Sequence, residues 1–389
     1  RIGADIPDHP TMRPAAHQDP GELIVPGKAC IMPRALIPWI LAALLVALTG
    51  SAALPGEPPP RLILLPIQDR IGDPELAAAV EQTVREELAG RYVLARGENV
   101  RNGLRAGRIR DAGATTPVRL AKMARNLEAD TFLSITIHRA AAVPVPDITL
   151  SGQSFEAGKN TLGWAGFRSA SGLDGRRMLG RGVIEDLNEL TRRTARRLIG
   201  DFLRPDANLS DRITVPTPVE GTFRRGLINT STMSRMAVLP FDSEVTRKPQ
   251  VAAEIATAAI LAVLHRKGVP LTHPGTVDET LRRRYQQRYG GLDDLSRAAL
   301  LLAGGATRFI TGTVEIFELS GGIEPVPWIA LGARVVDVES GQVLWIGGLE
   351  RTGREGENIF GVHRVHSPGV LLDGMLNAVS AAFLSTIEE

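Results

Sequence analysis

The chain has 389 residues and a mass of 41.8 kDa, with 43% hydrophobic residues, 23% charged residues and a mean hydropathy of +0.01. That length suits about two to three domains, each able to bury a core, and that balance excludes a small disulfide scaffold, a disordered chain and a polytopic membrane protein. A net charge of +2 provides no global field for nucleic acid, and 4% aromatic residues argue against a surface that stacks bases or sugars. Cys30 is the only cysteine, so neither an internal disulfide nor a thiolate zinc site can form.

Residues 1–31 are polar, Pro-rich and aperiodic, and read as a disordered or mis-annotated upstream extension. From Met32 the order is a short basic start ending in Arg34, an apolar run over 35–48, and the small residues Gly50, Ser51, Ala52 and Ala53. This is the order of a secretory signal, with Ser51 and Ala53 at the two small positions before a cleavage site. Left uncleaved, the stretch 35–54 is long enough to anchor the chain in the inner membrane. Cys30 lies upstream of the apolar run, which argues against lipidation. The expected location is therefore the periplasm, with 32–54 as signal peptide or signal anchor and 55–60 as a Pro-rich linker.

Beyond that linker the chain reads as two copies of one unit, 61–204 and 235–389, joined by a Pro/Ser/Thr-rich linker over 205–234. Leu62 to Pro66 reappears as Met236 to Pro240, each a short buried strand that proline terminates. Asp73 as N-cap, Pro74 at N1 and the stripe Leu76, Val80, Val84, Leu88 predict a helix ended by Gly90. Val251, Ile255, Ala259 and Val263 predict its counterpart, also burying one face. An extended piece and two weaker helices follow in each copy, over 102–110 with 118–127 and over 277–289 with 295–302.

Stretches 129–137 and 306–314, rich in β-branched residues, read as central strands. A hairpin then spans 330–338 and 343–349 in the second copy, and 167–170 with 178–184 in the first. Helices close both copies, with Leu187, Leu190, Thr194 and Leu198 inward in one and Leu372, Leu376, Val379 and Phe383 inward in the other. The order β-α-β-α-α-β-β-β-α places each copy in the α/β (α+β) class, a mixed sheet with packed helices.

Three motifs of the second copy fall in a telling order: Ala237 to Phe241, the Gly305-Ala306 entry into Phe309 to Val314, and Val335 to Trp345 with its Gly341 turn. In these it resembles the family of bacterial envelope domains to which the curli-secretion protein CsgG, the TolB N-terminal domain, the penicillin-binding-protein activator LpoB and the flagellar ring protein FlgT belong. The first copy shares the resemblance more weakly, with Tyr92 to Arg96 similar to the extended piece that follows the family's first helix. The resemblance implies a non-catalytic module that contacts or assembles envelope proteins of a secretion, flagellar or cell-wall apparatus. Without an acylated Cys or a long amphipathic hairpin pair, it implies no secretion channel.

A search for catalytic chemistry returns near misses. The stretch from Gly152 to Asn160 is one residue too long for a phosphate loop and ends in Asn, and Glu156 stands where a nucleophile elbow needs glycine, so the stretch reads as a flexible loop. His363 and His366, with Glu355 and Glu357 nearby, are the alternative, a metal-dependent or hydrolytic enzyme, but no third ligand has a diagnostic spacing. No cofactor, metal or catalytic residue is assigned.

The interaction reading rests on other residues. Arg192, Arg193, Arg196 and Arg197 form a basic stripe on the first closing helix, suited to an anionic membrane surface or an acidic partner, and Arg282, Arg283, Arg284 and Arg288 form a second. By count, 61–204 carries about +6 and 235–389 about −3, so the copies are expected to meet different neighbours. The loops 140–163 and 320–328 precede the hairpins, and their Pro-stiffened segments around Val145 and from Val326 to Trp328 lose little entropy on docking. Candidate partner contacts are therefore Trp328, Val326, Val145, Arg192 and Arg196. The partners would be envelope proteins, no nucleic acid is expected, and self-association is open.

Overall fold

The computed structural model describes residues 59–109, 115–176, 182–204, 223–224, 235–283, 292–320, 324–355, 357 and 364–384. The upstream extension, the signal segment, His363, Arg284 and Arg288 lie outside the described residues. Among the described residues no helix is long and apolar enough to cross a membrane.

The first half runs β1 (Arg61–Leu64), β2 (Gln68–Asp69), α1 (Pro74–Leu88), β3 (Val93–Leu94), α2 (Gly97–Ala106), α3 (Pro117–Leu127), β4 (Thr131–Ala141), β5 (Asp147–Glu156), β6 (Leu162–Ser171) and α4 (Leu187–Leu203). Its sheet order is β3-β1-β4-β5-β6, parallel through β1 and antiparallel from β4 onward, with β2 beside β4. After a two-residue strand β7 (Phe223–Arg224), the second half runs β8 (Met236–Val238), β9 (Asp242–Ser243), α5 (Pro249–Arg266), α6 (Pro274–Arg283), α7 (Asp294–Gly304), β10 (Arg308–Leu319), β11 (Pro327–Asp337), β12 (Val343–Thr352) and α8 (Pro368–Leu384). Its sheet order is β7-β12-β11-β10-β8, with β9 beside β10. The protein is thus of the α/β class, with two mixed sheets; the halves differ in that β3 has no strand counterpart in the second, where Leu271 makes only an isolated bridge to Met236.

Local sequence explains each element. Asp73 caps α1 by accepting from the N–H groups of Glu75 and Leu76 at 3.1 and 3.0 Å, and Leu76, Val80, Val84 and Leu88 are buried beneath the helix. Even the bulges recur: pairing shifts between Ile137 and Arg139 on β4 and between Val314 and Ile316 on β10, which makes His138 and Glu315 the extra residues at matching places.

α1 and α4 cover one face of the first sheet, and α2 and α3 cover part of the other around Phe132 and Phe155. The rest of that second face is covered by α5 and α8, which also form the inner layer of the second sheet. One hydrophobic core therefore joins Leu162, Ala165 and Phe167 of β6 to Leu331, Val335 and Trp345 of the second sheet. α6 and α7 cover part of the second sheet's outer face, around Phe309 and Val336. Pro58–Glu389 accordingly packs as a single compact unit.

Two expectations are corrected here. α5 buries far more than the stripe Ile255, Ala259, Val263: every residue from Ala258 to Leu264 is buried, because the helix is wedged between the two sheets. The first half's hairpin is β5–β6, with 167–170 in its second strand; of the expected partner 178–184, residues 178–181 lie outside the described residues and 182–184 form no strand, and Gly152 is a strand residue paired with Ile135 and Gly166 rather than part of a flexible loop. The hydroxyl and amide residues Thr149, Ser151 and Gln153 disguise β5, since the face they occupy is covered by the other half of the molecule. Gly152 serves close packing, as a Cβ there would lie 2.6 Å from the Trp164 ring.

Candidate functional site

Where α5 crosses the first sheet it leaves a cleft of about 690 Å³, lined on one wall by Gln68, Arg70, His138 and Ser151 and on the other by Glu254 and Phe241. The bulge at His138 aims its ring into this cleft. The ring nitrogen Nε2 and Ser151 Oγ share a hydrogen bond at 2.8 Å, and Nδ1 lies 4.0 Å from Glu254 Oε2. Glu254 in turn meets Arg70 at 3.4 Å, which ties α5 to the chain just beyond β2.

Serine, histidine and carboxylate in this order have the connectivity of a hydrolytic triad. Its electrostatics oppose catalysis. His138 is 7% exposed as a side chain, and burial, followed by the charge of Arg70, pulls its pKa down to about 3. An imidazole so reluctant to accept a proton is a poor general base near neutrality, where an effective base has a pKa close to the working pH. Ser151 sits in mid-strand, 4% exposed. The second buried histidine, His273, is fully buried, packs edge to face on Phe155 at 4.3 Å, and accepts the Gly275 N–H on Nδ1 at 3.0 Å. Burial alone pulls its pKa to about 3. Around it the halves are joined by the Asn160 carbonyl accepting from His273 N–H at 2.9 Å and the Leu271 carbonyl accepting from Leu162 N–H at 3.1 Å. Neither histidine stood out in the sequence, because what buries them comes from the other half of the chain: Glu254 lies beside His138, and Phe155 packs on His273.

The second surface is the outer face of the second sheet, beyond the reach of α6 and α7. Trp328 (39% exposed) and Ile346 (42%) stand on it, with Glu315, Glu318 and Glu350 exposed around them. Gly332 and Gly348 face each other across β11 and β12, and a depression of about 240 Å³ lies between Glu315 and Glu350. Trp328 Nε1–H donates to Glu350 Oε1 at 2.7 Å.

The other expected site residues fall in several places. Val326 is 3% exposed, against the expectation of an exposed contact, because two hydrogen bonds to Ser320 close the β10–β11 loop and fold the side chain onto Gly353. Val145 is half-buried in the short β4–β5 turn, while Val143 beside it is 82% exposed. Arg192 and Arg196 are exposed on α4, far along the chain from Trp328, and Arg196 meets Glu87 at 3.4 Å. Of the alternative metal site, Glu355 pairs with Arg351 at 3.1 Å, and Arg364 pairs with both Glu357 and Glu324. His366 is buried against the Pro325 carbonyl, and among the described residues no cluster of three metal-ligating side chains forms. Arg176 of the first half also pairs with Glu324, a further bond between the halves. Arg282 and Arg283 of the second basic run are engaged by Asp278 and Glu279 one turn earlier on α6.

No family model and no curated protein sequence matches the chain. Among solved structures it is similar to the PelC dodecamer from Paraburkholderia phytofirmans, at 15% identity over 43% of this chain and 94% of that one, with a TM-score of 0.29. It is also similar to the lipoprotein GNA1162 from Neisseria meningitidis (20% identity, 40% of this chain and 97% of that one, TM-score 0.27) and to the LpoB C-terminal domain from Salmonella enterica (15%, 30% and 81%, TM-score 0.22). Each covers less than half of this chain.

Proposed function

We propose that the protein is a non-catalytic module of the bacterial cell envelope, exported by its signal segment, that holds other proteins in an assembly. The observation that supports this most directly is the outer face of the second sheet, which among the described residues carries no helix over Trp328, Ile346 and Glu350. Its mixture of an aromatic anchor, an exposed aliphatic residue and a charged rim is the composition of a protein contact. The matching face of the first sheet is occupied by α5 and α8, so the fold accepts partners on this surface. A photoreactive residue placed at Ile346 tests the reading in intact cells. The expected result is a discrete adduct with an envelope protein, or with a second copy of this chain, that is missing when the probe is placed at exposed Val118. Equal labelling from both positions would remove the reading.

A second reading is supported by one distance, the 2.8 Å between Ser151 Oγ and His138 Nε2 in a cleft of substrate size: a serine hydrolase with Glu254 orienting the histidine. Esterase activity that disappears in Ser151→Ala is the test that would favour it.

A further inference from the structure

The two sheets can be compared residue by residue, because their pairing registers match. Ser151 opposite Thr136 corresponds to Gly332 opposite Thr313, Ser169 opposite Thr149 corresponds to Glu350 opposite Ala330, and the bulged His138 corresponds to the bulged Glu315. In the first sheet this face is a docking surface. Ser169 Oγ meets Ser367 Oγ at 2.6 Å just before α8, and a Cβ on Gly369 would lie 2.4 Å from Ser169, so the helix sits hard against the strand.

In the second sheet the same face is open among the described residues and its chemistry is changed. Acidic side chains replace His138 and Ser169, and Gly348 lines the depression between Glu315 and Glu350, which Arg351, paired with Glu355, also borders. An apolar helix pair like α5 and α8 does not suit that face, whereas a guanidinium does: planar, weakly hydrated and able to bridge two carboxylates. This chain presents such groups on α4, where Arg192, Arg193, Arg196 and Arg197 are all exposed. The halves carry about +6 and −3, so the basic helix of one copy and the acidic sheet of the next attract at long range.

We propose that the outer face of the second sheet binds α4 of a second copy of this chain, with Arg192 and Arg196 at the depression between Glu315 and Glu350. The contact is head to tail, since the two surfaces lie on different halves, and it generates a ring or a filament rather than a two-fold dimer. This names the partner of the surface in the preceding section and rests on that reading.

Sedimentation velocity of the full chain is the test. Association should appear at low salt and weaken as salt is raised through the Debye range. Glu315→Gln with Glu350→Gln, or Arg192→Gln with Arg196→Gln, should each weaken it by about tenfold or more. A mixture of the two variants should stop at a one-to-one complex, because each retains one intact surface of the head-to-tail pair. A wild-type chain that stays monomeric at low salt, or association that both variants retain, would overturn the proposal. If the chain is monomeric yet the Ile346 probe captures a different envelope protein, the copy-to-copy contact fails while the interaction module stands. Arginine variants that lose binding to anionic vesicles but associate as before would assign the stripe to a lipid surface instead.

Discussion

Trp328 and Glu350 lie on adjacent strands of one sheet face, and the indole N–H donates to the carboxylate at 2.7 Å, so the aromatic residue is held in place while 39% of it faces solvent. Trp345 is fully buried on the opposite face of the same sheet against Phe383, at a ring separation of 5.7 Å. The two tryptophans therefore serve different purposes. An anchor restrained before binding loses less side-chain freedom when a partner arrives.

Trp328→Ala should lower stability by about 1 kcal/mol or less while reducing adduct formation at Ile346, because the residue is part-exposed and packs on one side only. Thermal melting and crosslinking on the same preparation check both halves of this statement. A fall of several degrees in Tm with unchanged crosslinking would return Trp328 to a purely structural role.

Leu239 and Phe309, each 2% exposed, pack with Val277, Leu281 and Leu300 beneath α6 and α7. Truncating either to Ala should cost about 2 to 5 kcal/mol by leaving a cavity that the surrounding sheet and helices cannot close. Urea unfolding measures this. A loss below about 1 kcal/mol at both positions would show that this part of the core is loosely packed.

Acid should destabilise the protein through two of its buried histidines, His138 and His273. His138 faces Ser151, Arg70 and Glu254, and His273 faces Phe155 and backbone groups, and both have folded pKa values near 3 against an ordinary 6.5. A base with a lowered folded pKa binds its proton more weakly when folded, so its contribution is intact above pH 6.5 and is lost as pH falls toward 3. Each histidine therefore contributes progressively less stability as pH falls through that window. His138→Gln and His273→Asn keep the hydrogen-bonding atom without the titration and should flatten stability against pH between 6 and 4, roughly the middle of that window. Unchanged acid sensitivity in the double variant would place the titrating groups elsewhere.

Ser151→Ala should leave the protein as inactive toward an activated ester as the wild type, and it should cost about 1 to 3 kcal/mol by removing the hydroxyl partner of the buried His138 ring. Ester hydrolysis by the wild type that vanishes in the variant would establish the catalytic reading of the cleft.

Much of the architecture was written locally. The Asp73 cap, the stripe from Leu76 to Leu88, the prolines that end β1 and β8, and the Gly341 turn are short-range features, and the elements they bound follow from them. The inward side of α4 was legible for the same reason, since a helix packed on one sheet declares its buried stripe through its period, and the stripe Leu372, Leu376, Val379, Phe383 of α8 is buried although that helix meets both sheets. β5 was not legible, because Thr149, Ser151 and Gln153 have the composition of a loop until the other half of the chain covers them.

By itself, the sequence determined the α/β class and most of the element order, which depend on residues a few positions apart, whereas Trp328 belongs to β11 rather than to the loop before it. Only the tertiary structure decided that α5 is buried on both sides, that His138, Ser151 and Glu254 meet, and which sheet face stays open. Those outcomes depend on residues a hundred or more positions apart that come together when the halves dock, and no local period or spacing encodes the surface on which one sheet receives another's helices.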